Sequence, residues 1–176
     1  KHLGFKTNRH EGKITGLAAY GNSDKTFLLM NEIFKYEKGN LINTLSVNTD
    51  LINNPIKYYK KYVKSNEMIP LGYVKSLSKR LGRFAIGYAN YLNFLSDKFK
   101  GFNREDISSG IQKLTEESIV SFVKKNLKNN PNKNICLAGG VFANVKVNQK
   151  ISEIKGVENV YVHPAMDDSG TALGAA

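Results

Sequence analysis

From Asn134 to Ala176 the chain alternates in a way that few folds accommodate. A short apolar run (Asn134 to Ala138) meets Gly139-Gly140, a helical stretch follows, a second apolar run (Val157 to Val162) comes next, and an acidic turn opens another helix start. Apolar runs of this length bounded by glycine read as buried strands. Strands that alternate with helices imply a mostly parallel sheet flanked by helices, the α/β class. Ligands of such sheets bind at the carboxyl ends of the strands, where both glycine-bearing turns fall.

Upstream, Gly12 to Gly21 is small and apolar and suits a short, tightly packed helix with Gly21 as its C-cap. Asp24 is placed to cap a helix running to about Lys35, with Phe27, Met30, Ile33 and Phe34 on one face. Gly39-Asn40 then turns into a strand near Leu41 to Val47. Arg104-Glu105-Asp106 opens a long helix with Ile107, Ile111, Leu114, Ile119, Phe122, Val123 and Leu127 at helical spacing, stopped by Asn129-Asn130-Pro131.

Charge is concentrated in the middle. The 176 residues carry 26 Lys and Arg against 15 Asp and Glu, a net +11. Between Leu51 and Lys100 ten basic residues face two acidic ones, which leaves +8 of that charge there. Helical spacing at Ile56, Tyr59 and Val63, and again from Phe84 to Leu95, makes 51–102 read as an inserted helical region. Its lysines, interleaved with Tyr58, Tyr59, Tyr62 and Tyr73, fit a solvated helix face first and a nucleic-acid surface second. The lone Cys136 excludes an internal disulfide and belongs in an apolar strand, in keeping with a reducing, cytoplasmic setting. No apolar run approaches the ~18 residues a membrane span needs, so the chain reads as soluble. It starts on Lys1 rather than methionine and stops mid-pattern at Gly174-Ala175-Ala176, which reads as one lobe of a larger protein.

Three stretches can carry chemistry. Gly139-Gly140 between strand and helix lets main-chain N–H groups approach a phosphate at the helix's positive end, with Asn144 one turn in. The competing reading is a turn that needs glycine only for its backbone angles. In Pro164-Ala-Met-Asp-Asp-Ser-Gly170 the carboxylates of Asp167 and Asp168 can cap a helix or bind a cation. In His10-Glu11-Gly12-Lys13 the lysine can reach a phosphate or carbonyl oxygen, and His10 or Glu11 can do proton or metal work, although the motif also fits a surface turn entering a helix. The pattern is neither a Walker loop nor a complete Gly-x-Gly-x-x-Gly, and His2, His10 and His163 form no two-histidine metal motif.

Taken together, His10-Glu-Gly-Lys-Ile-Thr-Gly-Leu-Ala-Ala-Tyr-Gly21, Leu137-Ala-Gly-Gly-Val-Phe-Ala-Asn144 and Pro164 to Ala176 resemble the O-carbamoyltransferases, which carbamoylate antibiotics and nodulation factors. The resemblance implies an actin-like ATPase (ASKHA) fold, similar to tRNA threonylcarbamoyladenosine synthase, in which two lobes close on a nucleotide. Residues 1–176 would be one lobe, catalytically inactive without the upstream lobe. Carbamoyl phosphate and ATP would yield a carbamoyladenylate, and the carbamoyl group would pass to an acceptor hydroxyl at a divalent metal, iron in the family. By position, Gly139, Gly140 and Asn144 match the family's nucleotide-contacting turn, and Asp168 its metal-ligand aspartate. Gly170 closes that aspartate's Pro-x-x-x-Asp-x-Gly motif on the cofactor side, and Lys13 matches the catalytic lysine. The histidines that complete the metal site lie upstream in the family, and Asp167 stands where the family usually has glycine. Two rival readings remain at this point: an RNA-binding module related to threonylcarbamoyladenosine synthesis, and a small-molecule kinase lobe of the same fold.

Overall fold

A computed structural model describes residues 3–5, 10–37, 40–43, 94–128 and 130–175. Most of the inserted region expected at 51–102 lies outside the described residues, as does the strand expected beyond residue 43, while 94–98 are helical.

The long helix, here α3 (Arg104–Leu127), organises the rest. Asn103 caps it by accepting the Asp106 N–H at 2.7 Å. Glu105 and Asp106 in the first turn, with Lys124 and Lys125 in the last, complement the helix dipole. Against its first half pack α1 (Glu11–Ala18) and α2 (Asp24–Ile33). Asp106 is the tie point: its carboxylate accepts the Asn22 N–H and its carbonyl the Thr26 hydroxyl, both at 2.7 Å. Thr26, Met30 and Ile33 form the buried face of α2, at helical spacing. Phe27, expected on that face, is half-buried beneath the Lys113 ammonium, 4.7 Å from its ring centre.

Three local expectations are corrected. Gly21 is not a C-cap: α1 ends at Ala18, its cap residue Ala19 is right-handed, and Gly21 does not adopt positive φ. Gly21 instead lies against α3, where a Cβ would overlap the Glu105 carbonyl. Asp24 is the first helical residue rather than the cap, and Asn22 Oδ1 takes its N–H at 2.8 Å. The helix also stops before Phe34, whose backbone is extended (φ −122°, ψ 120°), because Phe34–Glu37 forms β1. This strand pairs antiparallel with β2 (Asn40–Asn43).

The second half of α3 packs on a β-α-β unit: β3 (Asn134–Leu137), α4 (Val145–Ser152) and β4 (Asn159–Val162). β3 and β4 are parallel, in register from Asn134↔Asn159 to Leu137↔Val162. The parallel pair is as expected, but a mostly parallel sheet is not what forms among the described residues, where the antiparallel β1–β2 pair stands as a separate sheet.

Two apolar clusters result. Leu3, Met30, Ile33, Phe99 and Ile107 make one, and Leu137, Val147 and Ile151 the other, with Ile119 and Val123 of α3 packed on it. α3 is their common wall, so the β-α-β unit is held by the same helix that carries α1.

Candidate functional site

The site is built where β3 and β4 end. Past Leu137 the chain turns at Gly139, whose φ of +111° is a conformation side chains rarely adopt. Its N–H donates to the Met166 carbonyl at 2.6 Å, and the His163 N–H donates to the Leu137 carbonyl at 3.0 Å. The two glycine-bearing turns of the sequence are thereby stitched together at the carboxyl ends of adjacent parallel strands.

Gly140 opens a short 3-10 turn, Gly140–Ala143. Its φ is not positive, and a Cβ added there would meet nothing within 4 Å. Among the described residues, neither backbone geometry nor packing therefore explains glycine at 140. Open space against its main chain is what the approach of a bulky anionic group uses.

Asn144 is the N-cap of α4, rather than a residue one turn in, and its Oδ1 accepts the Val147 N–H at 3.3 Å. It borders an open cleft of about 670 Å³ between α1, α3 and α4, lined also by Thr15, Gly16, Gln112, Glu116 and Lys150. At Gly16, as at Gly140, a Cβ would meet nothing within 4 Å, although glycine inside a helix costs about 1 kcal/mol relative to alanine. Lys13 lies one turn earlier, exposed, with Nζ 3.4 Å from His10 Nε2, and does not line the cleft.

At the second turn the two aspartates divide their tasks. Asp167 caps the 3-10 turn Asp168–Gly170. Its Oδ1 accepts a very short bond from the Ser169 hydroxyl and the Ser169 N–H at 3.0 Å. Those two bonds, the hydroxyl foremost, hold its carboxyl below the ordinary value of 3.8. Asp168 is exposed and its carboxylate makes no hydrogen bond or ion pair among the described residues, while its carbonyl accepts from the Thr171 hydroxyl at 2.7 Å. Gly170 is packed: a Cβ would overlap the Ala165 carbonyl and stand 3.4 Å from the His163 ring. Among the described residues no three His, Cys, Asp or Glu side chains converge as a metal site would require. Asp168 thus presents one carboxylate without a partner among the described residues.

Sequence reasoning missed Gln112, Glu116 and Lys150. The first two lie four residues apart on α3, and Glu116 is buried. A polar pair at helical spacing within a core-facing helix was the signal.

Two parallel strands with joined turns at their carboxyl ends form the arrangement at which ligands of open α/β sheets bind, and the cleft is reached from it through Ala143 and Asn144, not through Gly139, Gly140, Asp168 or Gly170. The chain belongs to the carbamoyltransferase family, whose N-terminal model, Carbamoyltransferase N-terminus, matches residues 1–176. It is similar to two uncharacterized proteins of Methanocaldococcus jannaschii. MJ1058 is 29% identical over 99% of this chain and 23% of its own length, and MJ1051 is 31% identical over 99% and 27%. The nodulation protein NolNO of Sinorhizobium fredii is 24% identical over 93% of the chain and 24% of its own length. The chain spans about a quarter of the length of these relatives.

Proposed function

We propose that this chain is one lobe of an actin-like (ASKHA) carbamoyltransferase and that it holds the phosphate side of a nucleotide. The observation that carries the reading is Gly140: its main chain faces open space beside the joined turns, with no conformational need for glycine. Carbamoyltransferase family membership supplies the reaction class.

In this reading the Gly140 N–H lies against a phosphate oxygen, where it offsets negative charge without having to reorganise, while the Gly139 N–H, held by the Met166 carbonyl, fixes the turn. Asn144 adds a side-chain amide at the cleft wall. Carbamoyl phosphate, ATP and one water give a carbamoyladenylate with release of inorganic phosphate and pyrophosphate, and the carbamoyl group then passes to an acceptor hydroxyl as AMP leaves and the hydroxyl proton is lost. Lys13, 3.4 Å from His10 Nε2, is a cation at the start of α1 for an anionic substrate group entering from the partner lobe. Asp168 offers one carboxylate to a divalent metal, iron by resemblance, whose other ligands come from beyond the described residues.

The test is Gly140→Ala in a protein of the relatives' full length. A methyl group there meets no atom of the described residues, so the thermal midpoint stays within a degree or two of wild type while ADP binding weakens about tenfold, the order of one lost charge-assisted hydrogen bond. Unchanged ADP affinity would remove the turn from the nucleotide site.

A further inference from the structure

Three side chains outside the three sequence motifs form a linked series that ends on Asn144 through Gln112. Glu116, 7% exposed, accepts from the Lys150 ammonium at 2.9 Å and from Gln112 Nε2 at 2.8 Å. Gln112 then meets Asn144 twice: its Nε2 lies 3.1 Å from Asn144 Oδ1, and its Oε1 accepts from Asn144 Nδ2 at 2.8 Å. Lys150 belongs to α4, the helix that Asn144 caps. The path closes on itself, from α4 through α3 and back to the α4 cap.

Such a network is a poor choice if its purpose is only to join two helices. A buried carboxylate needs compensation, and an ion pair whose lysine is as open to solvent as Lys150 adds little to stability. What the polar arrangement does supply is orientation. The Val147 N–H requires the amide oxygen of Asn144, so Nδ2 must face Gln112. The Gln112 amide is fixed in turn, because its nitrogen serves the Glu116 carboxylate. One Nδ2 hydrogen of Asn144 is committed to Gln112, the other has no acceptor among the described residues, and Asn144 lines the cleft together with Gln112, Glu116 and Lys150.

We infer that Gln112, Glu116 and Lys150 are positioning residues that lock the Asn144 amide with one N–H presented to an acceptor atom of the nucleotide. This rests on the nucleotide reading and deepens it. None of the three has to touch the ligand; they act through Asn144.

The experiment titrates ADP into a protein of the relatives' full length and measures KM for ATP and for carbamoyl phosphate. Gln112→Met keeps side-chain length and removes both bonds to Asn144. It should weaken ADP binding and raise KM for ATP about tenfold, leaving KM for carbamoyl phosphate within twofold. Glu116→Met, which removes the acceptor for Gln112 Nε2, should weaken ADP binding about threefold to tenfold, and Glu116→Gln, which keeps an acceptor oxygen there, should lose less. Gln112→Ala serves in place of Gln112→Met if the latter does not fold. A folded Gln112 variant with wild-type ADP affinity and KM would overturn the inference while leaving the nucleotide site standing. Wild-type protein that binds no ADP would instead overturn the nucleotide reading, and the inference with it.

Discussion

Glycines separate what the fold needs from what a ligand would need. At Gly110 a Cβ would come within 2.6 Å of Thr26 Oγ1 and 2.9 Å of Thr26 Cβ, where α2 and α3 touch. Gly110→Ala should therefore cost about 1–3 kcal/mol, read as a lowered denaturation midpoint, whereas Gly140→Ala should not. The sequence marks both as glycine, but the reason lies in contacts between distant segments. Gly21 shows this best: Ala-Ala-Tyr-Gly reads locally as a helix end, and its actual constraint is the Glu105 backbone on another helix. The same applies to the adjacent aspartates, where spacing alone left the cap to either one, and Ser169 selects Asp167. Asp167 titrates accordingly. Its folded pKa lies below 3.8, so its contribution to the turn is fully present above that value and is lost as pH falls through the lower folded one. The protection of the Ser169 amide, its exchange rate relative to a free amide at the same pH, should hold from neutral pH down to 3.8 and fall only below it; loss already at pH 5 to 6 would contradict the capping role.

Among the elements, α3 was the most legible, because its 24 residues repeat apolar positions at helical spacing between a polar cap and Asn-Asn-Pro. Its start also fixes the linker before α2 through Asp106, so the Asn103 cap should matter beyond one helix turn. Asn103→Ala should lower stability by about 1 kcal/mol in a melting experiment, and a change within error would mean that Asp106 orders this end alone. β3 and β4 were legible as short apolar runs closed by turn residues, and their parallel pairing follows from the intervening α4. β1 was not. Phe34 and Lys35 continue the helical pattern of α2, and only pairing with β2, four residues against four, extends the backbone there. The Gln112–Asn144 bonds were equally hidden, since they join residues 32 apart in the chain.

At the scale of the whole molecule, one helix serves two cores, and both halves of the cleft hang from it. Among the described residues no helix is long and apolar enough to cross a membrane. The charge of +8 gathered between residues 51 and 100 falls mostly outside the described residues, so the readings of that stretch stay those of its sequence. Because the chain spans about a quarter of its relatives, the proposed activity belongs to the complete protein: a carbamoyltransferase that uses a nucleotide. The decisive experiment follows pyrophosphate release by folded, iron-loaded protein of the relatives' length, supplied with ATP and carbamoyl phosphate. Release should require both substrates and fall about tenfold or more in Gly140→Ala at limiting ATP. No release from either substrate combination, or transfer of phosphate rather than carbamoyl to a hydroxyl acceptor, would contradict a nucleotide-using carbamoyltransferase.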